Sequence, residues 1–310
     1  MNDSTLSMCV CTYKRPDGIR RTLDSFAACH KPADRRMEIV VVDNDPAESA
    51  KRILDAFRAS HPAVEVKYAI ESVRGIAAAR NRCLMESTGE WVTFIDDDEY
   101  VDAEWLMELI AVQEQTDADA VFGPVEPTFC APSPSWVTMS GAYTRTRHRT
   151  GESIDWRDAR TGNVLFRRSL ARRVGGFDPS FGLTGGEDTA FFALASRAGA
   201  RLVWADAALV FETISPDRIS RRWLCHRSFH SARNYVRIRA RVESRWAFVQ
   251  EFGKGAFGLL VYALLLLFAL GTGSLTSLKW SQRLCASWGK LSALRVVDNF
   301  YGRGTPALND

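Results

Sequence analysis

Three consecutive aspartates, Asp96-Asp97-Asp98, follow a short apolar run that has the length of a β-strand. Like charges a few ångströms apart repel and raise one another's pKa, so a positive partner is needed to offset them. Carboxylate oxygens are hard ligands that suit Mg²⁺ or Mn²⁺, which commonly bind one or two carboxylates together with substrate phosphates. The cluster therefore predicts a divalent-metal site, with a plain acidic loop as the alternative.

Side chains that suit a nucleotide occur nearby in the sequence. Asp43 ends another apolar run, where its carboxylate is able to accept a hydrogen bond from a nucleobase N–H. Arg74 opens a Gly- and Ala-rich helical run that leads to Arg80 and Asn81. These residues would present cationic and amide groups to a ribose or a diphosphate, although Arg80 taken alone is more typical of a surface arginine.

The elements that must position these residues alternate between strand and helix. β-Branched and aromatic runs predict strands over Leu6–Thr12, Met37–Asp43, Val64–Ile70 and Trp91–Asp96. Helical spacing predicts helices over Gly18–Ala28, Ala47–Ser60 and Gly75–Ser87. This alternation predicts an α/β fold with a mostly parallel, Rossmann-like sheet and helices on both faces. Ligands of such sheets bind at the carboxyl ends of the strands, where the aspartates lie.

The middle of the chain continues this pattern less regularly. The later elements are predicted as a helix over Ala103–Gln115, strands over Ala120–Val125 and Val164–Arg167, a helix from Glu187 to about Ala198, and strands over Arg201–Asp206 and Leu209–Glu212. Between them, residues 126–160 are rich in Pro, Ser and Arg and predict a surface insertion or mobile loop.

Charge is distributed unevenly along the 310 residues. The net charge is +3, yet residues 1–217 carry 25 basic and 33 acidic side chains, and residues 218–254 carry ten basic and two acidic ones. Duplex affinity depends on neutralising phosphates with Lys and Arg. The acidic segment 1–217 therefore argues against a nucleic-acid partner. The basic segment 218–254 needs a partner of another kind.

The C-terminal third has the composition of a membrane-associated region. Residues 255–278 contain no charged side chain, and 24 helical residues span roughly 36 Å, enough for a bilayer core of about 30 Å. We expect a membrane-embedded helix there, with a buried core helix as the alternative. Residues 218–254 predict a basic helical juxtamembrane segment, with a solvated helix face or an RNA contact as the alternative. Residues 279–310, with Trp280 and Trp288 at helical spacing, predict an amphipathic interfacial helix and a tail.

Seven irregularly spaced cysteines and an N-terminus without a basic or an apolar region indicate an intracellular protein with free thiols. Together with the membrane association expected of the C-terminal third, this predicts that the protein is located at the cytoplasmic face of the inner membrane. Cys9 and Cys11 fall on one face of a strand, so we expect buried apolar side chains rather than metal ligands.

Five ordered motifs resemble those of a known family. They are Thr12-Tyr13-Lys14-Arg15-Pro16, Val-Val-Val-Asp43-Asn44, the run from Arg74-Gly75 to Arg80-Asn81, the run from Gly89 to Asp98, and Gly186-Glu187-Asp188. Over about residues 6–212 the sequence resembles the inverting family 2 glycosyltransferases of GT-A fold, most closely the bacterial exopolysaccharide (succinoglycan-type) glucosyltransferases. The resemblance implies a GT-A catalytic domain over 1–217, with a donor half over about 1–125 and an acceptor half over about 126–217.

The resemblance also implies roles for individual residues. It assigns the nucleoside to Thr12, Tyr13, Arg15 and Asp43, and the rest of the donor site to Arg74, Arg80, Asp96 and Asp97. Asp98 would be the main ligand of Mn²⁺ or Mg²⁺, and Asp96 would meet both ribose and metal. His226, one helical turn before His230, would add a further metal ligand, with helix-surface histidines as the alternative.

Glycosyl transfer with inversion needs one base, which takes the proton of the acceptor hydroxyl, whereas hydrolases need two carboxylates that flank the bond. The resemblance implies that this base is Asp188. Gly185 and Gly186 allow close approach of the backbone, and Asp188 begins a predicted helix, where a carboxylate is stabilised. Glu187 would orient the acceptor. A plain helix-capping aspartate is the alternative for Asp188.

The expected function is transfer of a sugar, glucose by the resemblance, from a UDP-sugar to a polyprenyl-diphosphate-linked oligosaccharide at membrane lipids. Ile219 stands where processive relatives carry Gln in a Gln-x-x-Arg-Trp motif, which favours the addition of one sugar per encounter. A membrane-anchored nucleotide-sugar binding protein without turnover and a sugar-nucleotide pyrophosphorylase are the alternatives. A dinucleotide-binding Gly-x-Gly-x-x-Gly motif is missing after the first strand, which excludes a typical dehydrogenase.

Overall fold

The computed structural model describes residues 5–129, 133–269 and 274–294. The described chain forms two compact units. The sheet unit comprises residues 5–128, 145–182 and 187–213, and the helical unit comprises residues 129–144, 183–186 and the part of the chain that begins at 214. This division differs from the predicted boundary at 217, because two short segments that precede it in sequence belong to the helical unit.

Strands and helices alternate through the first part of the chain, and three long helices follow the last strand. The strands are β1 (Thr5–Thr12), β2 (Arg36–Asp43), β3 (Glu65–Ile70), β4 (Trp91–Asp96), β5 (Glu99–Val101), β6 (Ala120–Phe122), β7 (Val125–Phe129), β8 (Val164–Arg167), β9 (Leu202–Trp204) and β10 (Val210–Ile214). The helices are α1 (Pro16–Ala28), α2 (Lys51–Ser60), α3 (Ile76–Glu86), α4 (Trp105–Thr116), α5 (Ser135–Ser140), α6 (Arg168–Val174), α7 (Glu187–Arg197), α8 (Arg221–Val242), α9 (Arg245–Ala269) and α10 (Ser274–Leu291).

A mixed seven-stranded sheet has the order β3-β2-β1-β4-β8-β6-β9. β1 pairs in parallel with β2 and β4, and β8 is antiparallel to both of its neighbours. The register sets Thr12 opposite Asp43 and Cys11 opposite Asp96. The polar ends of three parallel strands therefore lie side by side, as predicted. A smaller sheet has the order β5-β10-β7.

The main sheet is covered on both faces. Met8 and Val10 of β1 belong to a buried cluster with apolar residues of α1, α2 and α4. On the opposite face, the Cys9 thiol lies 3.2 Å from the hydroxyl of Ser87, directly after α3, and Cys11 is likewise buried. The predicted α/β class, mostly parallel sheet and buried cysteines are confirmed.

Several predicted bounds in the middle of the chain are wrong. The strand predicted over Ala120–Val125 is two strands, since β6 ends at Phe122 and β7 begins at Val125. Pro124 stands between them and has no N–H for the ladder. The segment predicted as a loop over 126–160 contains most of β7 and the whole of α5.

The helix predicted over 255–278 is also wrong in its bounds. α9 begins ten residues earlier, at Arg245, and ends at Ala269. α10 begins at Ser274 and includes the last residues of the apolar run. Gly271, Thr272 and Gly273, which favour a helix end by composition, lie outside the described residues. α10 covers the predicted interfacial helix only as far as Leu291, and residues 295–310 lie outside the described residues.

An ion pair with a buried carboxylate connects β2 and β3. Glu38 is 1% exposed, its Oε2 lies 2.6 Å from Nζ of Lys67, and its Oε1 accepts from the Thr88 N–H. Burial alone would raise the pKa of Glu38, but the hydrogen bonds from Lys67, Ser7 and Thr88 outweigh it and hold this pKa below its ordinary value.

We expect Lys67→Met to reduce the free energy of unfolding at pH 7 by on the order of 2 kcal/mol, because the Glu38 charge stays buried without its cation. The stabilisation by Glu38 is present above its unfolded pKa and is lost as the pH falls through its folded pKa. Urea unfolding at pH 7 and below pH 4.5 measures both effects. Arg36→Met, whose pair with Glu65 is exposed, is the control and should change stability by less than about 0.5 kcal/mol. Equal losses in the two variants would contradict the prediction.

Candidate functional site

Four consecutive acidic residues, from Asp96 at the end of β4 to Glu99, alternate between two environments. Asp97 and Glu99 are buried, at 6% and 1% exposure, whereas the side chains of Asp96 and Asp98 are 45% and 20% exposed. Asp96 ends β4, Asp97 and Asp98 form the turn that follows it, and Glu99 begins β5. Asp96 and Asp98 therefore offer the accessible carboxylates, and Asp97 faces inward.

Asp97 is held by residues at the end of β1 and just after it. The Thr12 hydroxyl donates to Oδ2 of Asp97 at 2.9 Å, and Nη1 of Arg15 donates to its Oδ1 at 2.9 Å. A Cβ on Gly18, in the first turns of α1, would overlap the Asp97 carbonyl oxygen, so α1 approaches this turn closely. The buried Thr12 and Asp97, together with the more exposed Arg15, thus form one hydrogen-bonded group that fixes the strand end. Donor contacts by these residues stay a prediction.

Asp98 has the features expected of a cation ligand. Nη1 of Arg15 lies 3.0 Å from its Oδ2. The pKa of Asp98 is raised to about 7, chiefly by burial and also by the neighbouring charges of Asp97, Asp96 and Glu212, while Arg15 opposes the shift. A divalent cation would relieve this excess of negative charge.

The donor set fits Mg²⁺ or Mn²⁺ as an incomplete site. Asp96 and Asp98 supply hard carboxylate oxygens on one side of the strand end. In the part of the chain that the structure describes, no three His, Cys, Asp or Glu side chains are grouped so as to hold an ion. Two carboxylates completed by substrate phosphates are a common arrangement for these ions.

Asp43 is fully buried at the end of β2. Its carboxylate accepts from the backbone N–H groups of Asp45 and Ala50, at 2.9 and 2.8 Å, and from the Tyr68 hydroxyl at 3.0 Å. These bonds fix the turn that follows β2 and leads to α2. The predicted contact with a nucleobase stays a prediction, and Asp43 also has a clear structural role that sequence reasoning missed.

An aromatic and cationic group borders the strand ends. The Tyr13 side chain is 38% exposed, and the Arg74 guanidinium lies 5.9 Å from its ring centroid. The Gly75 N–H donates to Oδ1 of Asn44 at 2.8 Å, which ties the segment that carries Arg74 to the end of β2. An exposed ring beside a guanidinium suits stacking against a base.

Arg80 lies inside the sheet unit, at 4% exposure. One terminal nitrogen donates to Oδ1 of Asp96 at 2.9 Å, and the other is paired with Oε1 of Glu187. Burial would lower the pKa of Arg80, but Glu187, Asp96 and Asp188 together raise it above its usual value. This placement favours a positioning role for Arg80, between the end of β4 and the start of α7, over the predicted direct contact with the donor.

Arg80→Met should reduce the free energy of unfolding by about 3–5 kcal/mol, because it leaves the buried Glu187 carboxylate without a cation. Adding Glu187→Leu removes that charge and should restore most of the stability, as measured by urea unfolding. Sugar transfer should stay impaired in the double variant, since Asp96 loses the donor that orients it. Full activity of a stable double variant would show that Arg80 has no positioning role.

Glu187 and Asp188 begin α7 but differ in environment. Glu187 is 3% exposed, and burial raises its pKa above the usual value although Arg80 opposes the shift. Asp188 is half-buried, and its Oδ1 accepts from the Thr189 backbone N–H at 2.6 Å. Of the two, Asp188 is the carboxylate that an acceptor is better able to reach. The predicted acceptor-orienting role of Glu187 would have to be indirect.

Sequence reasoning missed a second acidic group behind the metal candidates. Oε2 of Glu99 accepts from the Asp96 backbone N–H at 2.7 Å. Nη2 of Arg145 lies 2.6 Å from Oε2 of Glu212, in β10. Burial raises the pKa of Glu99 well above its usual value. Glu99 directly follows the aspartates, and this position in the sequence could have identified it as part of the site. Arg145 and Glu212 are distant in sequence, and no local pattern connects them with the aspartates.

The two histidines lie in the helical unit. Their Nε2 atoms are 3.1 Å apart on α8, and burial, with His226 and Arg233, lowers the pKa of His230 to about 4. Ser220 caps α8 by accepting from the Trp223 N–H at 3.1 Å. The metal-ligand role of His226 stays a prediction.

Comparisons with known proteins agree on the family. The Glycosyl transferase family 2 profile matches residues 7–175. The succinoglycan biosynthesis protein ExoM of Rhizobium meliloti (strain 1021) is 37% identical over 235 residues, which are 74% of this chain and 74% of that protein. The glucosyl-dolichyl phosphate glucuronosyltransferase of Haloferax volcanii is 27% identical over 239 residues, which are 72% of this chain and 74% of that protein.

Solved structures agree on the fold. The mannosyltransferase PcManGT of Pyrobaculum calidifontis, in complex with GDP-Man and Mn²⁺, has a TM-score of 0.63 at 19% identity, covering 93% of this chain and 86% of that one. S. aureus TarS 1-349 with UDP-GlcNAc has a TM-score of 0.55 at 18% identity, covering 92% and 91%. The predicted GT-A fold is confirmed. Because the family profile matches more than half of the sequence, this chain belongs to glycosyl transferase family 2.

Proposed function

We propose that this glycosyltransferase moves a sugar from a UDP-sugar, with inversion of the anomeric centre, to a lipid-linked oligosaccharide in exopolysaccharide synthesis. The observation that carries the proposal is the link from Asp96 through Arg80 to Glu187. It joins the strand end that would hold the donor diphosphate to the helix that presents Asp188. The similarity to ExoM supports the exopolysaccharide pathway.

The donor end is built from residues of the first three parallel strands. Tyr13 and Arg74 offer an exposed ring and a guanidinium to the nucleoside, and Asp43 holds the loop beside them. Fold neighbours have been solved with UDP-GlcNAc and with GDP-Man. The preference for UDP, and for glucose, therefore rests on the resemblance of the sequence motifs.

Asp96 and Asp98 would hold Mn²⁺ or Mg²⁺, which neutralises the diphosphate and makes it a good leaving group. Arg80 fixes the direction of the Asp96 carboxylate, and Arg15 does the same for Asp98. These contacts orient the carboxylates before the donor binds, so little reorganisation is needed in the transition state.

Asp188 would be the general base. Its carboxylate takes the proton from the acceptor hydroxyl as that oxygen attacks the anomeric carbon in line with the leaving diphosphate. The Thr189 N–H and the start of α7 stabilise the ionised form and fix its orientation. The buried Glu187 and Arg80 keep this end of α7 in place.

The acceptor is proposed to be a polyprenyl-diphosphate-linked oligosaccharide at the cytoplasmic face of the inner membrane. α9 is long and apolar enough to cross a membrane by length and composition. Little of its apolar stretch is buried within the structure, unlike a core helix, which was the alternative. A lipid-linked acceptor would be concentrated where such a helix binds.

The test is transfer by the purified full-length chain. UDP-glucose, UDP-galactose, UDP-glucuronic acid and GDP-mannose are each offered with a polyprenyl-diphosphate oligosaccharide and Mn²⁺, and products are analysed by mass spectrometry and NMR. We expect one UDP-sugar to give a product of inverted configuration. Donor binding without a product for any acceptor would support a binding protein instead, and a retained configuration would contradict the single-base mechanism.

A further inference from the structure

α9 has two faces of opposite character. One face is exposed and largely apolar, with Trp246, Phe257, Leu260, Leu264 and Phe268 between 59% and 78% exposed. The other face is buried and small or polar, with Ala247, Glu251, Gly255, Gly258 and Ala269. The exposed face, which we call the outer face, spans about 33 Å at 1.5 Å per residue.

α10 packs along the buried face of α9 in the antiparallel direction. A Cβ on Gly255 would lie 3.0 Å from Cβ of Lys290, and one on Gly258 would overlap Ser287. Further along, the Tyr262 ring stacks on Trp280 at 5.8 Å between centroids. The two helices are therefore in close contact over at least two turns, through small residues that allow their backbones to approach.

This pairing places charges beside the middle of α9. The Arg283 guanidinium lies 5.6 Å from the centroid of the Tyr262 ring, and Arg283 itself is exposed. Lys279, one turn earlier on α10, is exposed as well. If α9 crossed a bilayer in this arrangement, these cations would be carried to the depth of the hydrocarbon, where a charged side chain is costly.

A buried ionic group lies next to the apolar stretch. Glu251 of α9 is 2% exposed and lies 2.7 Å from Nη1 of Arg239 on α8, 2.8 Å from Nζ of Lys254 and 2.6 Å from Nζ of Lys290 on α10. Separating α9 from its neighbours would leave this carboxylate or its cations unpaired, which is costly. α8, α9 and α10 therefore stay together when the outer face meets its partner.

We infer that the outer face of α9 lies flat in the surface of an anionic lipid bilayer, and that α9 does not cross it. Helices of this kind bury one apolar face about 5–10 Å deep, at the level between headgroups and acyl chains. The charge of the region fits this partner, because residues 218–310 carry fifteen basic and four acidic side chains. Each basic residue near an anionic surface adds to the attraction between protein and bilayer.

Vesicle binding of the full-length chain tests the surface. We expect co-sedimentation with vesicles of 70% phosphatidylcholine and 30% phosphatidylglycerol, and at least about tenfold weaker binding to pure phosphatidylcholine, because the cations then lose their partner. Leu260→Glu should weaken binding to the anionic vesicles by at least about tenfold. Met85→Glu is the matched control, since Met85 is 76% exposed but lies in the sheet unit, on α3. Circular dichroism checks that both variants are folded.

Equal binding by Leu260→Glu and the parent chain would overturn the inference. A second copy of the chain is the competing partner for the outer face. If the lipid-free protein were a dimer that Leu260→Glu made monomeric, while vesicle binding stayed unchanged, the outer face would be a dimer interface. None of these readouts depends on sugar transfer, so the proposed function is tested separately.

A depth measurement distinguishes a flat helix from a crossing one. Trp246, Phe257 and Phe268 are eleven residues apart, about three turns, and so share one line on the outer face. A fluorescent amino acid placed at each position in turn is quenched by lipids brominated at defined depths. A flat helix gives the same depth at all three positions. A greater depth at Phe257 than at the other two positions would indicate a crossing helix. A depth that increases from Trp246 to Phe268 would indicate that α9 and α10 insert as a hairpin. Either result would overturn the inference.

Discussion

Asp98→Asn is expected to reduce sugar transfer by at least about 10³-fold while the protein stays folded. The substitution removes the carboxylate that is proposed to hold the cation, and this cation neutralises the donor diphosphate. Asp98 lies among other acids, with Asp97, Asp96 and Glu212 raising its pKa, so neutralising it relieves repulsion and should not destabilise the fold. Mn²⁺-dependent binding of UDP should disappear together with activity.

Calorimetry of UDP binding with and without Mn²⁺ measures this directly, without any acceptor. The control is Glu90→Gln, which neutralises a carboxylate just before the other end of the same strand. Glu90 is exposed and pairs with Arg167, so this variant should bind UDP and Mn²⁺ as the parent does. An Asp98→Asn enzyme that keeps most of its activity would exclude Asp98 as the main metal ligand.

Asp188→Asn should bind the UDP-sugar nearly normally yet transfer it at least about 100-fold more slowly, which corresponds to roughly 2.7 kcal/mol in the barrier. Asparagine preserves the size of the side chain and can still accept from the Thr189 N–H, but it cannot take a proton. Donor affinity should hardly change, because the residues proposed to hold the donor lie on other elements. Single-turnover kinetics at saturating donor measures the chemical step.

Glu108→Gln is the control for Asp188, because Glu108 is also a half-buried carboxylate in the first turn of a helix, α4. It should transfer at the parental rate. Glu187→Gln is a different case, since it weakens the buried pair with Arg80, and we expect reduced stability together with a smaller loss of transfer. Normal transfer by Asp188→Asn would require another base.

The parts of the fold that the sequence predicted well are those with long, regular patterns. β1, β2 and β4 are apolar runs that end in polar residues, and their parallel pairing brought Thr12, Asp43 and Asp96 together as expected. Short elements such as β5 and α6 were missed because three to seven residues contain too little periodicity. The apolar run after 254 indicated a membrane-associated region, but hydropathy alone does not show where one helix ends and the next begins.

The candidate site illustrates a different limit. Sequence motifs predicted residues that the structure places near one edge of the sheet, yet they did not distinguish side chains that are accessible to a ligand from those that hold the edge together. Asp97 and Arg80 were expected to contact the donor, and the structure buries both of them on partners within the sheet unit. Burial depends on contacts such as that between Arg80 and Glu187, which are 107 residues apart, and no local pattern reports such a contact.

The packing of α10 determines how a water-soluble form of this enzyme should be made. Deleting everything after residue 254 would remove Leu278, which is 2% exposed and clusters with Val137, Tyr143, Ile214 and Leu224 of the helical unit. It would also take Lys290 away from Glu251. The shortened protein would therefore expose new apolar surface and aggregate. Polar substitutions confined to the outer face of α9 leave that packing intact, and they are the better route to crystals without detergent.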